Sequence, residues 1–131
     1  MKRPKKVVVA ISGSIAAYKG VDFVRYLVKR GFDVKVVMTP SATKFIAPLT
    51  FQTVSRNPVL TSFWEEADGI GHIEYADWAD VVVVVPASAN TIAKLAHGLA
   101  DNAVLAVTLA TKAPIVLAPA MNVNMWENCA T

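Results

Sequence analysis

Val81-Val-Val-Val-Val85 runs directly into Pro86-Ala-Ser-Ala-Asn-Thr91, and this junction decides the fold. An unbroken run of β-branched residues suits a strand buried on both faces, the situation of an interior strand in a parallel sheet. The polar cluster begins where the apolar run stops, at the carboxyl end of the strand. Open α/β sheets bind their ligands outside that end. A second junction repeats the arrangement, where Ile115-Val-Leu-Ala118 gives way to Pro119-Ala-Met-Asn-Val-Asn-Met-Trp126. Two such loops predict one site assembled along one edge of the sheet.

Outward from Val81 the chain alternates strand-like and helix-like segments. Lys6 to Ile11 is an apolar run of buried-strand length. After Ser12-Gly13-Ser14, apolar residues recur at Ile15, Tyr18, Val21, Val24, Leu27 and Val28, a helical spacing that Gly31 is placed to close. Asp33 to Met38 reads as the second strand and completes a βαβ unit. From Thr39 to Asp68 the pattern is weaker. Thr39-Pro40-Ser41 is a turn that can start a short helix through Phe45, and Asn57-Pro58 is a breaker ahead of an edge strand near Val59 to Ser62. A short helix is expected from Ile70 to Trp78, then Val81 to Val85 as a central strand. Helices over Ala89–Gly98 and Ala103–Ala110 and a strand over Pro114–Ala118 follow. Trp126-Glu-Asn-Cys-Ala-Thr131 looks like the opening of another helix. The expected architecture is one domain over residues 1–131: a doubly wound, Rossmann-like or flavodoxin-like parallel sheet in a three-layer α/β fold.

Composition agrees with that layout. A chain of 131 residues has room for one domain. With 54% hydrophobic residues and a mean hydropathy of +0.43, it is unusually apolar for its size. That surplus fits a sheet buried on both faces, with further apolar surface buried between subunits. No apolar stretch reaches the roughly 18 residues of a membrane-spanning helix. The N-terminus carries lysines without an apolar signal core. A cytoplasmic protein with no membrane partner is therefore expected. The net charge of +3 owes most to Lys2, Arg3, Lys5 and Lys6. These form a terminal, solvated cluster rather than a cationic groove, so nucleic acid is not an expected partner. The single cysteine, Cys129, excludes an internal disulfide and a cysteine-based metal site.

Three polar strand ends carry the candidate chemistry. Ser12-Gly13-Ser14-Ile-Ala-Ala-Tyr-Lys19 joins the first strand to the first helix, where backbone N–H groups and a serine hydroxyl suit an anion such as phosphate. It also reads as a simple serine cap, since both the G-x-G-x-x-G and P-loop patterns are absent. The Pro86–Thr91 loop offers Ser88, Asn90 and Thr91 where a cap needs one such residue, and Thr39-Pro40-Ser41 adds a third polar strand end. Together they suit a mononucleotide, with phosphate, sugar hydroxyls and ring divided among them. His72 is a candidate proton carrier or an ordinary structural histidine. Asp77 and Asp80 read as helix-end residues, and His97 as a surface residue near a helix C-terminus. Asn122 and Asn124 fit turns, and Met121, Met125 and Trp126 fit core positions.

Four segments taken together resemble the homo-oligomeric flavin-containing cysteine decarboxylases. They are Gly-Ser-Ile-Ala-Ala-Tyr-Lys (13–19), His-Ile-Glu-Tyr-Ala-Asp-Trp-Ala-Asp (72–80), Pro-Ala-Ser-Ala-Asn-Thr (86–91) and Pro-Ala-Met-Asn-x-x-Met-Trp (119–126). The resemblance covers nearly the whole chain in the family's order, and the histidine and Pro-x-Met-Asn segments are its specific parts. It implies FMN as cofactor. Gly13, Ser14, Ile15, Thr39, Ser41, Ser88, Ala89, Asn90 and Thr91 would surround its phosphate, ribityl chain and ring. His72 would be the active-site histidine, and Asn122 would bind the substrate carboxylate with Met125 nearby. A homotrimer, often assembled further, with FMN at subunit boundaries, is implied as well.

The activity implied is decarboxylation of 4′-phosphopantothenoylcysteine to 4′-phosphopantetheine in coenzyme A biosynthesis. FMN would oxidise the CH₂–SH group to a thioaldehyde, the electron sink that lets CO₂ leave. The reduced flavin would then return the electrons to the resulting enethiol, and His72 would serve the proton transfers. Two other readings stand beside it: a peptidyl-cysteine (lantibiotic-type) decarboxylase, and a non-catalytic FMN-binding regulatory subunit. The family's substrate clamp, a cysteine followed by glycine-rich residues, lies downstream of Pro-x-Met-Asn. Cys129 is too near that motif to be its cysteine, so a domain without its clamp is expected, and without the fused synthetase.

Overall fold

Val7, Val9 and Ile11 point to one face of strand β1 (Lys6–Ile11) and Val8 and Ala10 to the other, and both sets are buried. β1 is the middle strand of a five-stranded, all-parallel sheet in the computed structural model, which describes residues 5–62 and 71–131. The order is β3 (Val59–Leu60), β2 (Asp33–Met38), β1, β4 (Val81–Ala87) and β5 (Ile115–Pro119). Val9 pairs with Val36 of β2 on one side and Val83 of β4 on the other. The valine run is thus an interior strand but not the central one, because β5 alone lies outside it.

Helices α1 (Ala17–Lys29) and α2 (Pro48–Ser55) cover the face that carries Val9, Val36 and Met38. α3 (Gly71–Trp78) and α5 (Ala103–Ala110) cover the face that carries Val8, Val37 and Val82, and Ile92 of α4 (Ala89–Ala96) packs there too. The three-layer doubly wound fold expected from the sequence is the one observed.

The inner face of α1 differs from expectation. Ile15 precedes the helix and is 83% exposed, and Tyr18 is also exposed. The buried stripe is Ala17, Gly20, Val24 and Leu27. Small residues are needed because the helix lies close to the sheet: a Cβ on Gly20 would meet Ile11 Cδ1 at 2.8 Å and the Val85 carbonyl at 3.1 Å. Gly31 does end the segment, with φ of +87°. Helix α2, which the sequence pattern does not announce, is held by fully buried Phe51. The turn after β2 is a 3₁₀ segment, Ala42–Lys44.

The remaining elements are near their expected places. β3 is shorter than anticipated, and α3 is seen from Gly71, Ile70 and Asp68 lying outside the described residues. α6 (Val123–Trp126) ends at Trp126 instead of opening there. β5 departs from double-sided burial, because Ile115, Val116 and Leu117 are all exposed on this edge strand. Among the described residues no helix is long and apolar enough to cross a membrane.

Candidate functional site

β1 leads to β2 and β3 on one side, whereas β4 and β5 lie on the other. Strand order therefore reverses between β1 and β4, and a crevice forms at their carboxyl ends. Buried Ser12, just past β1, ties that point together: its Oγ donates to the Pro86 carbonyl and accepts the Ser88 N–H at 2.9 Å. Ser88 in turn caps α4, accepting the Thr91 N–H at 3.2 Å and donating to Thr91 Oγ1 at 3.1 Å. On the β2 side, Thr39 Oγ1 accepts the Ala42 N–H at 3.1 Å and fixes the turn that presents Ser41. The two loops meet at Gly13, where a Cβ would lie 2.5 Å from Ser41 Cβ. Only glycine fits there without moving Ser41.

Beside this brace is a cavity of about 200 Å³. Gly13 from the loop after β1, Thr39 and Ser41 from the loop after β2, and Asn90 and Thr91 from α4 line it. The structure thus gathers residues from three separate polar strand ends. Ser14, Ile15, Ser88 and Ala89 do not line the cavity. Ser14 Oγ accepts the Ala16 N–H at 3.1 Å, so residues 12–16 form a turn and helix α1 starts later, at Ala17, with no side-chain cap.

The far wall was not foreseen: Lys94, Asp101 and Asn102. Lys94 stands one turn beyond Asn90 on the same face of α4, and its Nζ lies 2.8 Å from Asp101 Oδ2. Asn102 caps α5, accepting the Leu105 N–H at 3.0 Å. Hydroxyls, an amide, one lysine and a helix N-terminus make a donor set that fits a phosphate monoester attached to a hydroxylated chain. The signal for Lys94 is its four-residue spacing from Asn90. For Asn102 it is the cap position ahead of the apolar run of α5.

His72 and Asn122 are outside this cavity but at the same edge of the sheet. The Trp78 ring, at the other end of α3, lies 5.8 Å from Lys6 Nζ and 4.7 Å from Lys35 Nζ, so α3 ends toward the start of β1. The first turn of α3, with partly buried His72, is consequently at the carboxyl edge. Asn122 follows β5 and caps α6, its Oδ1 accepting the Asn124 N–H at 2.7 Å. That contact uses only the amide oxygen of Asn122, an exposed residue whose amide also carries two N–H donors. Around it, Pro119, Met121, Val123 and Trp126 line an apolar cavity of about 340 Å³. Met125 is exposed and does not line it.

Comparison with known proteins follows the same lines. The family described as Flavoprotein matches residues 1–131. A "Probable phosphopantothenoylcysteine decarboxylase" of Streptococcus mutans is 50% identical over 131 residues, covering 97% of this chain and 73% of that protein. The coenzyme A biosynthesis bifunctional protein CoaBC of Bacillus subtilis is 46% identical over 99% of this chain, which spans only 32% of that longer protein. Among solved structures, the FMN-dependent cysteine decarboxylase SpaF superposes with a TM-score of 0.88 at 32% identity, covering 96% of this chain and 74% of that one. Family match, relatives and fold agree, and the chain belongs to the flavoprotein family.

Proposed function

We propose that the polar cavity between β1 and β4 binds FMN, and that the chain decarboxylates 4′-phosphopantothenoylcysteine to 4′-phosphopantetheine. The observation that carries the cofactor reading is the convergence of Gly13, Thr39, Ser41, Asn90 and Thr91 on one cavity. The substrate reading is supported by the 50% identity to the Streptococcus mutans protein.

FMN, when bound, supplies a reversible two-electron acceptor beside the cysteine portion of the substrate. The chain's own residues do the rest. Thr39, Ser41 and Asn90 donate to the phosphate and ribityl oxygens. Asn122 holds the substrate carboxylate through its amide N–H groups, its amide oxygen being taken by the cap. His72 carries the protons, a role suited to an imidazole, which offers one nitrogen that donates and one that accepts. A homotrimer with the cavity at its boundaries is part of the proposal, as is a cytoplasmic location. Exposed Ile15, Tyr18, Phe45 and Leu49, on the segments following Gly13 and Ser41, offer the apolar surface for subunit contact.

The test loads the purified chain with FMN and measures CO₂ release from 4′-phosphopantothenoylcysteine and from a peptide ending in cysteine. Release from the first alone is expected, with His72→Asn losing about 100-fold or more in rate while still binding FMN. Release from the peptide alone assigns the peptidyl-cysteine reading. A flavin-loaded chain that releases CO₂ from neither is a regulatory subunit.

A further inference from the structure

Lys94 is the one cation lining the polar cavity among the described residues, and it does not face the cavity unaccompanied. Asp101, also in the lining, holds its Nζ at 2.8 Å. A carboxylate in the wall of an anion pocket opposes the ligand unless the lysine outweighs it. An ion pair this exposed, with side chains 28% and 59% accessible, contributes little to stability by itself.

We propose that Lys94 sets the preference of this cavity for a ligand ending in a dianionic phosphate monoester, exchanging Asp101 for the phosphate when that ligand enters. The inference rests on the reading of the cavity as the FMN site and adds what selects FMN over its dephosphorylated form. Lys94 reaches the cavity from the same face of α4 as Asn90, so the two supply a charge and an amide to one ligand. Asp101 immediately precedes Asn102, the cap of α5. Its carboxylate is stabilised by that helix's N-terminal dipole once the lysine turns away. The flexible four-carbon stem of lysine permits the exchange with little movement of either helix.

The test is titration of the full chain with FMN and with riboflavin, following quenching of flavin fluorescence. Wild type, Lys94→Met, Lys94→Arg and Asp101→Asn are compared, with folding checked by circular dichroism. Lys94→Met is expected to weaken FMN binding about tenfold, the weight of one charge-assisted hydrogen bond, and to leave riboflavin within about twofold. Lys94→Arg keeps the FMN preference. Asp101→Asn tightens FMN binding about threefold by removing the competing carboxylate.

The opposite signs of Lys94→Met and Asp101→Asn are decisive. A pair that merely braces α4 against α5 would weaken both flavins in both variants alike, and that result overturns the exchange. Wild type that binds FMN no more tightly than riboflavin overturns it as well. Wild type that binds neither flavin sinks the FMN reading itself and the inference with it. Wild type that binds FMN with Lys94→Met unaltered sinks the inference alone.

Discussion

Ser12 and Ser88 are 76 residues apart in the chain and joined by a 2.9 Å hydrogen bond, with the Ser12 hydroxyl accepting the Ser88 N–H. The same hydroxyl donates to the Pro86 carbonyl. One buried oxygen therefore locks the ends of two strands on either side of the ligand crevice. Ser12→Ala leaves the Ser88 N–H without its partner and the Pro86 carbonyl with only the Ser12 N–H, at 3.3 Å. A loss of about 1–3 kcal/mol is expected, seen as a lower urea midpoint with an unchanged slope.

Gly13→Ala tests the contact between the β1 and β2 loops. The added methyl would sit 2.5 Å from Ser41 Cβ, so Ser41 must move out of the cavity wall. FMN affinity is expected to fall about tenfold or more, in keeping with the cost of overpacking. Flavin fluorescence titration reads the effect, and unchanged affinity would show that Ser41 takes no part in binding.

Asn102 has two duties that substitution separates. Asn102→Ala removes the α5 cap and is expected to cost about 1 kcal/mol. Asn102→Asp restores the cap, since aspartate caps as well as asparagine. It also places a carboxylate in the cavity lining, so it should recover the melting temperature of wild type and still bind FMN more weakly.

Arg56 follows α2 with φ of +64°, in the left-handed region that glycine adopts without penalty. Arg56→Gly is expected to raise stability by about 0.5–1 kcal/mol, the strain relieved less the added freedom of the unfolded chain. Chemical denaturation would show it as a higher midpoint, and a lower one would mean that the arginine side chain contributes more than the strain costs.

The parts of the fold legible in the sequence are those where burial demands one kind of residue. β1 beyond Lys6 and β4 up to Pro86 are unbroken apolar runs, and β2 is one from Val36 on, because both their faces are covered there, and the loops after them are polar because the sheet ends there. The face of α1 is not legible because closeness selects for small size: Ala17 and Gly20 pack toward the sheet, and the larger Ile15 and Tyr18 are exposed. α2 is not legible because Thr, Phe and Val in Pro48–Ser55 favour no helix locally, and the packing of Phe51 decides. In the site, Gly13, Thr39, Ser41, Asn90 and Thr91 could be picked out because each follows a strand. Lys94 follows no strand and is signalled only by its spacing from Asn90, and Asp101 reaches the cavity only through the return from α4 into α5.

The valine tract of β4 has one further consequence, for the chain while it is being made. Until Ile115–Pro119 has emerged, the outer edge of β4 has no neighbour. Val81–Val85 is then an uncharged, strongly β-forming segment of the sort that seeds intermolecular pairing. Asp80 brings a charge to one end, and Pro86 withholds a backbone donor at the other. In the finished fold both are taken into the structure, Asp80 accepting the Lys6 N–H at 2.9 Å and Pro86 accepting from Ser12. Two residues that guard the nascent strand against aggregation thus become the fastenings of its mature position.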